Sequence, residues 1–312
     1  MFSGLLRGNL WFENKPTKLF FMIPLWALFA IAASLLICAI PLIQEKFKAD
    51  GFSVAFWAQV TVLAISTPLA LWNGLPEDPR FYAAVVGTAL LWSVSDVIYF
   101  TSVPKVGAGI VSRLLPSAVI ISFILWFIID PALLDKYLAR PWQAIAICAI
   151  ILASVILTTL IRRCSFSWQA VRMIWFIIFA ASIGPVIVKF SLGYAPASQA
   201  PLSYMCINAT FMVTTWLIYY AIRKPVPIQT LLSGYSMRTG TLIGLFGATT
   251  SYLKTNALLL VEHPAYVQVI LFSDSLWILL IYRLMGRKEN GSILPSLGIV
   301  ACAVALVIVK SL

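Results

Sequence analysis

The sequence predicts an all-α polytopic membrane protein, with ten transmembrane helices arranged as two inverted five-helix repeats. Three observations carry that expectation. Hydrophobic residues make up 61% of the chain and charged residues 11%, against about 45–50% and about 25% in soluble domains. Apolar stretches of membrane length alternate with short polar breaks along the whole chain. A core segment, Ala83–Asp130, also returns in diverged form from Gly240: at an offset of 156, half of the 312 residues, Ser93, Ser95 and Val111 fall on Thr249, Ser251 and Val267.

Taken in order, the expected spans cover 18–43, 54–74, 80–102, 108–129, 142–161, 172–195, 200–222, 239–260, 264–286 and 293–311. Residues 1–17 form an N-terminal tail without a small-residue cleavage site. Phe2, Leu5, Leu6 and Leu10 stand near helical spacing there, which reads as an interfacial helix, a disordered tail being the alternative. Residues 18–161 make the first five-helix repeat and 162–312 the second, the division falling at Arg162-Arg163. An odd number of spans per repeat turns the second one upside down, the pattern of secondary transporters. The longest break, Lys224–Met237, leaves no room for an extramembrane domain.

Orientation is divided between two signals. Seven basic residues lie on the side of the N-terminus and twelve on the other, so the positive-inside rule places the N-terminus outside. The first span alone, with three basic residues before it and two after, favours the opposite. The net charge of +11 belongs to loops facing anionic lipid headgroups and does not point to nucleic acid. Five cysteines without CxxC spacing, mostly inside apolar segments, read as core filler, so no metal or cofactor is expected. His263 is the one histidine and sits at a turn, which excludes a histidine metal cluster; no GxSxG, HExxH or Walker motif is present. The chain is therefore not expected to be an enzyme.

Five ionisable side chains remain inside the spans: Asp96, Arg113, Lys189, Lys254 and Asp274. Even on lenient insertion scales a charge at the bilayer centre costs about 2.5–3.5 kcal/mol, so such residues face a partner or a cavity. Asp96 and Arg113 are equidistant from the turn near Pro104, and Lys254 and Asp274 from Pro264. Each core hairpin thus offers one acid–base pair, with the signs exchanged. Both read either as structural ion pairs or as groups opening onto a cavity. Lys189 follows the Gly184-Pro185 break and has no evident acidic partner; it either snorkels or joins Lys254 in favouring an anion.

Aromatic and polar residues flank these charges: Trp92 and Tyr99 beside Asp96, Tyr252 and Asn256 beside Lys254, Gln268 and Ser273 beside Asp274, and Tyr204 in the seventh span. Such a mixture suits an organic ligand, although small polar residues also serve as ordinary helix-packing contacts. Asp274 and Asp96 are the candidates for proton coupling. Arg113 is the candidate for a structural ion pair.

At the third-to-fourth and eighth-to-ninth spans the chain resembles the EamA-type drug/metabolite transporters. Leu114-Leu115-Pro116 stands where that family's first repeat carries its proline, and Gly286 with Arg287, Lys288 and Glu289 approximates the closing motif of its second. Asp130 replaces the first closing Gly-Glu, and Asp274 stands about where the second proline would be. The resemblance implies ten helices in two inverted repeats and alternating access through a central cavity. The expected function is an exporter or exchanger of a small charged metabolite, an amino acid or other organic anion. Phosphate-ester exchange and lipophilic-drug export are alternatives on the same fold. A membrane scaffold or intramembrane enzyme is the alternative of another class. The expected partners are a small-molecule substrate, the lipid bilayer of a bacterial inner membrane, and protons or a counter-substrate. Nothing in the sequence fixes the oligomeric state, and a monomer is compatible with it.

Overall fold

The computed structural model describes residues 23–108, 111, 115–160, 168–286 and 293–311. The N-terminal tail, Arg113, Arg162-Arg163 and Arg287–Glu289 lie outside the described residues. Every regular element among those described is a helix. The first half contains α1 (Leu25–Ile37), α2 (Ala39–Phe47), α3 (Gly51–Asn73), α4 (Pro79–Val106), α5 (Ala118–Ile129), α6 (Pro131–Leu138) and α7 (Pro141–Leu160). The second half contains α8 (Trp168–Leu192), α9 (Ala200–Arg223), α10 (Gly234–Leu260), α11 (Pro264–Leu271), α12 (Asp274–Leu284) and α13 (Ile293–Ser311).

Six helical stretches are long and apolar enough to cross a membrane: 25–47, 51–73, 79–106, 172–192, 200–223 and 264–284. The chain is accordingly an integral, multi-pass helical membrane protein. Helix α10 has the length of a span but is diluted by Lys254, Asn256 and a run of Thr and Ser residues. Helix α5 meets α6 at 104°, a bend that starts at Asp130, whose carboxylate caps α6 by accepting from the Leu133 N–H. The sequence reading missed α6, because eight residues cannot reach across a bilayer and fell into a loop.

Helix ends follow local chemistry. Asp50 caps α3 through the Ser53 N–H and Ser233 caps α10 through Ser236. Gly74 and Gly107 end α3 and α4 at φ +84° and +88°, where a side chain would be strained. Pro104, in the last turn of α4, deprives the Phe100 carbonyl of its i+4 donor. Gln44 of α2 supplies the replacement, its Nε2 donating to Phe100 O at 2.9 Å.

The helices pack through small residues, as expected where lipid removes the hydrophobic drive between them. The most extensive contact is α3 on α10. A Cβ placed on Gly244 would lie 2.6 Å from the Ala58 carbonyl, and one on Gly240 would lie 2.5 Å from Trp57 Cβ. The other main pairs are α4 with α8, α1 with α10, α3 with α9, α7 with α13, α4 with α9, α5 with α8 and α1 with α11. Two stretches are interrupted at the same register. A 3-10 turn, Leu115–Ser117, precedes α5, and Phe272-Ser273 separates α11 from α12. Adding the offset of 156 to the first break gives the second.

Candidate functional site

A cavity of about 310 Å³ lies among the helices at the level of these two breaks, with Leu115 and Ala118 on one and Leu271, Phe272 and Asp274 on the other. Asp96, Lys254 and Asp274, the three described in-span charges with the most central positions, all line it. Trp92, Tyr99, Tyr204 and Gln268 do so too. Trp92 reaches the cavity across α8 because residue 184 is glycine: a Cβ there would stand 2.3 Å from the indole ring.

The charges are not paired as hairpin geometry predicts. Lys254 faces Asp96 of the other half, and its ammonium lies 5.6 Å from the centroid of the Trp92 ring. Asp96 also accepts from Gln59 Nε2 at 3.4 Å. Among the described residues no salt bridge joins Lys254 to Asp274, or to Asp96. Equal depth on adjacent helices leaves rotation free, and here rotation turns Lys254 toward α4. Asp274 instead interacts electrostatically with Tyr99, which also interacts with Asp96. The Asp274 Oδ1 atom is buried without a hydrogen-bond partner. The expected Asp96–Arg113 pair involves a residue outside those described.

Four other expected site residues do not reach the cavity. Lys189 donates to the Leu259 carbonyl at 3.1 Å, in the neighbourhood of Glu262 and Asp130. The proline break before it frees a carbonyl but does not aim the lysine inward, so Lys189 and Lys254 do not converge. Tyr252 is 40% exposed on the outer face of α10. Asn256, one helical turn on, returns its amide to the Tyr252 carbonyl. Ser273 is buried within the α11–α12 break, where its carbonyl accepts from Leu276 and Trp277.

Residues that the sequence reading passed over take their places. Gln59 was overlooked because neutral polar residues were sought only beside the in-span charges, and a buried amide carries a smaller penalty than a charge. Asn208 and Thr250 each present a buried side-chain oxygen without a partner, Oδ1 and Oγ1, and both line the cavity. Asn208 lies in the seventh span with Tyr204, and its polar amide inside a span is the signal that marks it in the sequence. Among the described residues no group of His, Cys, Asp and Glu is arranged to hold a metal.

His263 stands apart from the cavity. Its ring is fully buried, 4.6 Å from Phe123, 5.2 Å from Phe127 and 5.4 Å from Tyr266 between centroids. Its Nδ1 accepts from the Ala265 N–H at 3.2 Å, capping α11, which leaves Nε2 as the donor to the Phe123 carbonyl. This aromatic layer fills the space between the cavity and the end of the bundle that carries the α10–α11 turn. At the opposite end, Glu45 accepts from the Tyr282 hydroxyl and, at 3.0 Å, from the Ala108 N–H.

No protein-family model and no curated protein matches the chain. One solved structure, described only as "Crystal structure of protein", is similar in fold, with a TM-score of 0.61 at 13% identity. The match covers 92% of this chain and 99% of that one. The fold is thus shared over nearly the whole length.

Proposed function

We propose that the chain is a secondary transporter of the EamA type, moving a small charged metabolite by alternating access. The observation that carries this reading is the cavity at the two helix breaks, holding Asp96, Lys254 and Asp274 with aromatic side chains. Broken helices beside a central polar site are the usual construction of such transporters, because irregular backbone is tolerated at membrane depth only beside a cavity or within protein.

The packing pattern adds support for ten spans in two inverted repeats. The α1–α2 stretch counts as the first span, α3, α4, α5 and α7 as the next four, then α8, α9, α10, α11–α12 and α13. Exchanging each span with its counterpart five places on converts the α4–α8 contact into α10–α1. The same exchange converts α3–α10 into α9–α4 and α5–α8 into α11–α1. The pairs α3–α9 and α7–α13 map onto themselves. A bundle without internal duplication has no reason to reproduce its own contacts in this way.

Within the transporter class, phosphate-ester exchange loses the second ammonium on which it rested, since Lys189 points elsewhere. Proton coupling at Asp274 or Asp96 and exchange against a counter-substrate both remain compatible with the cavity. The test is uptake of a radiolabelled metabolite mixture into sealed proteoliposomes, with Lys254→Gln and Asp96→Asn beside wild type. Accumulation in the lumen that is lost in both variants is the expected result. Chemical conversion of the solutes without accumulation would mean an enzyme, and neither would mean a scaffold.

A further inference from the structure

The polar groups of the cavity are unequally matched. Asp96 and Lys254 interact electrostatically without a salt bridge between them, and Gln59 donates to Asp96 at 3.4 Å, so each has a partner of complementary polarity within the protein. Among the described residues Asp274 forms no salt bridge, and the stabilising contact it has is with the Ser275 backbone N–H. Its Oδ1 joins Asn208 Oδ1 and Thr250 Oγ1 as the buried cavity-lining oxygens left without partners. The helix at Pro185 contributes in the same sense, because Ala181, which lines the cavity, has a carbonyl lacking its i+4 donor. Asp274 Oδ1 and Asn208 Oδ1 can only accept, while the Thr250 hydroxyl can accept or donate, so the unmet capacity leans toward accepting hydrogen bonds. Among the described residues, both carboxylates ionised beside one lysine would also leave a net negative charge.

Buried polar groups persist where something hydrogen-bonds to them, and an isolated carboxylate away from water demands a positive partner or a proton. A ligand that satisfies this cavity must bring donors and positive charge. Aromatic rings point the same way. Trp92 already carries the Lys254 ammonium over its face, and Tyr99, adjacent to both carboxylates, offers a second ring.

We infer that the ligand of this cavity carries a protonated amine that seats at Asp274, with Asn208 and Thr250 as further acceptors. Organic anions lacking an amine are excluded. This rests on the transporter reading only for the ligand's fate, not for its binding. Lys254 then takes a carboxylate, when the ligand has one, in exchange for its interaction with Asp96.

Three probes on one skeleton test the assignment: 2-phenylethylamine, phenylalanine and 3-phenylpropionate, which carry the amine alone, both groups and the carboxylate alone. Binding to the detergent-purified protein is read as thermal stabilisation across a titration of each probe. The amine and phenylalanine are expected to stabilise wild type and 3-phenylpropionate is not. Asp274→Asn should weaken both binders about tenfold or more, the loss of a charge-assisted contact. Lys254→Gln should weaken phenylalanine alone. Should Asp274→Asn not fold, Asn208→Ala and Thr250→Val must each weaken the amine. The proposal falls if 3-phenylpropionate stabilises as well as the amine, if Asp274→Asn binds the amine unchanged, or if none of the three stabilises at millimolar concentration. It falls too if sodium chloride alone produces the whole Asp274-dependent shift. Proteoliposome flux separates the two readings. Binding of the amine without flux removes the transporter and keeps the ammonium site, whereas flux of the anion alone does the reverse.

Discussion

The α11–α12 stretch and the segment that leads into α5 start from equivalent positions in the chain and are held in different ways. His263 aligns with Gly107 at the offset of 156, so α11 and the segment beginning at Ala108 are counterparts. Helix α11 is capped from within its own turn by His263, and 264–270 is buried at every residue. The earlier segment is capped from another helix, Glu45 of α2 accepting from the Ala108 N–H and from Tyr282 of α12. In that segment Ser117 is exposed and Leu115 reaches the cavity. Buried rings pack one end of the bundle, whereas at the other Glu45 ties α2 to α12 and to the segment at Ala108 by hydrogen bonds, beside the small buried group of Cys38, Ile278 and Tyr282. Burial is lost only when the packed surfaces separate. A few hydrogen bonds contribute about 0.5–1.5 kcal/mol each and exchange readily with water. The Glu45 end is therefore the one expected to open first.

Four changes break or sharpen that contrast. The largest effect is expected for His263→Ala, which removes a fully buried ring, the α11 cap and the bond to Phe123. A loss on the order of 3 kcal/mol should appear as a lowered Tm in detergent. A loss no greater than that of Glu45→Gln would erase the contrast. Next comes Gly244→Ala, at the crossing between the two ends. Its new methyl meets backbone at Ala58, so α3 and α10 must separate at a cost of about 1–3 kcal/mol. An unchanged Tm would show that this crossing is not close-packed.

Smaller in stability but more informative is Glu45→Gln, expected to cost about 1 kcal/mol. Cys38 is buried against Ile278 and Tyr282 at that same end. In a variant retaining only this cysteine, its labelling by a maleimide should quicken with Glu45→Gln and stay slow with His263→Ala. The opposite ranking would put the weaker closure at the histidine end. The smallest effect belongs to Asp78, on the loop before α4. Arg80, bonded to it at 2.6 Å, holds its carboxyl below the ordinary carboxylate range. Such a group stabilises the fold above its unfolded pKa and loses that contribution as pH falls through the lowered folded value. Tm measured down an acid series should therefore fall slightly more for wild type than for Asp78→Ala. Parallel curves would mean that solvent screens the pair completely.

Much of the site was legible because buried charge is costly wherever it occurs, so Asp96, Lys254 and Asp274 could be singled out without knowing a contact. Trp92, Tyr99, Tyr204 and Gln268 followed as neighbours along the same helices. Lys189, Tyr252 and Asn256 were misplaced for a common reason. One helical turn carries residues to every side of the axis, and the sequence shows depth without azimuth. Asn208, Thr250 and Gln59 were undervalued because neutral polar groups give a weaker signal than charges, although their oxygens and amides also call for partners once buried.

The sequence by itself determined that this chain is helical and membrane-embedded, since only closed backbone hydrogen bonding survives in lipid. It also singled out Asp96, Lys254 and Asp274 as charges within spans, whereas it read 108–129 and 264–286 as unbroken. The tertiary structure alone decided that Lys254 turns toward Asp96 across the two halves and not toward Asp274, and that Lys189 turns away. Those outcomes depend on how each helix is rotated about its axis. Close crossings such as Gly244 on Ala58 and Gly184 under Trp92 set that rotation, and they exist only once the helices have packed.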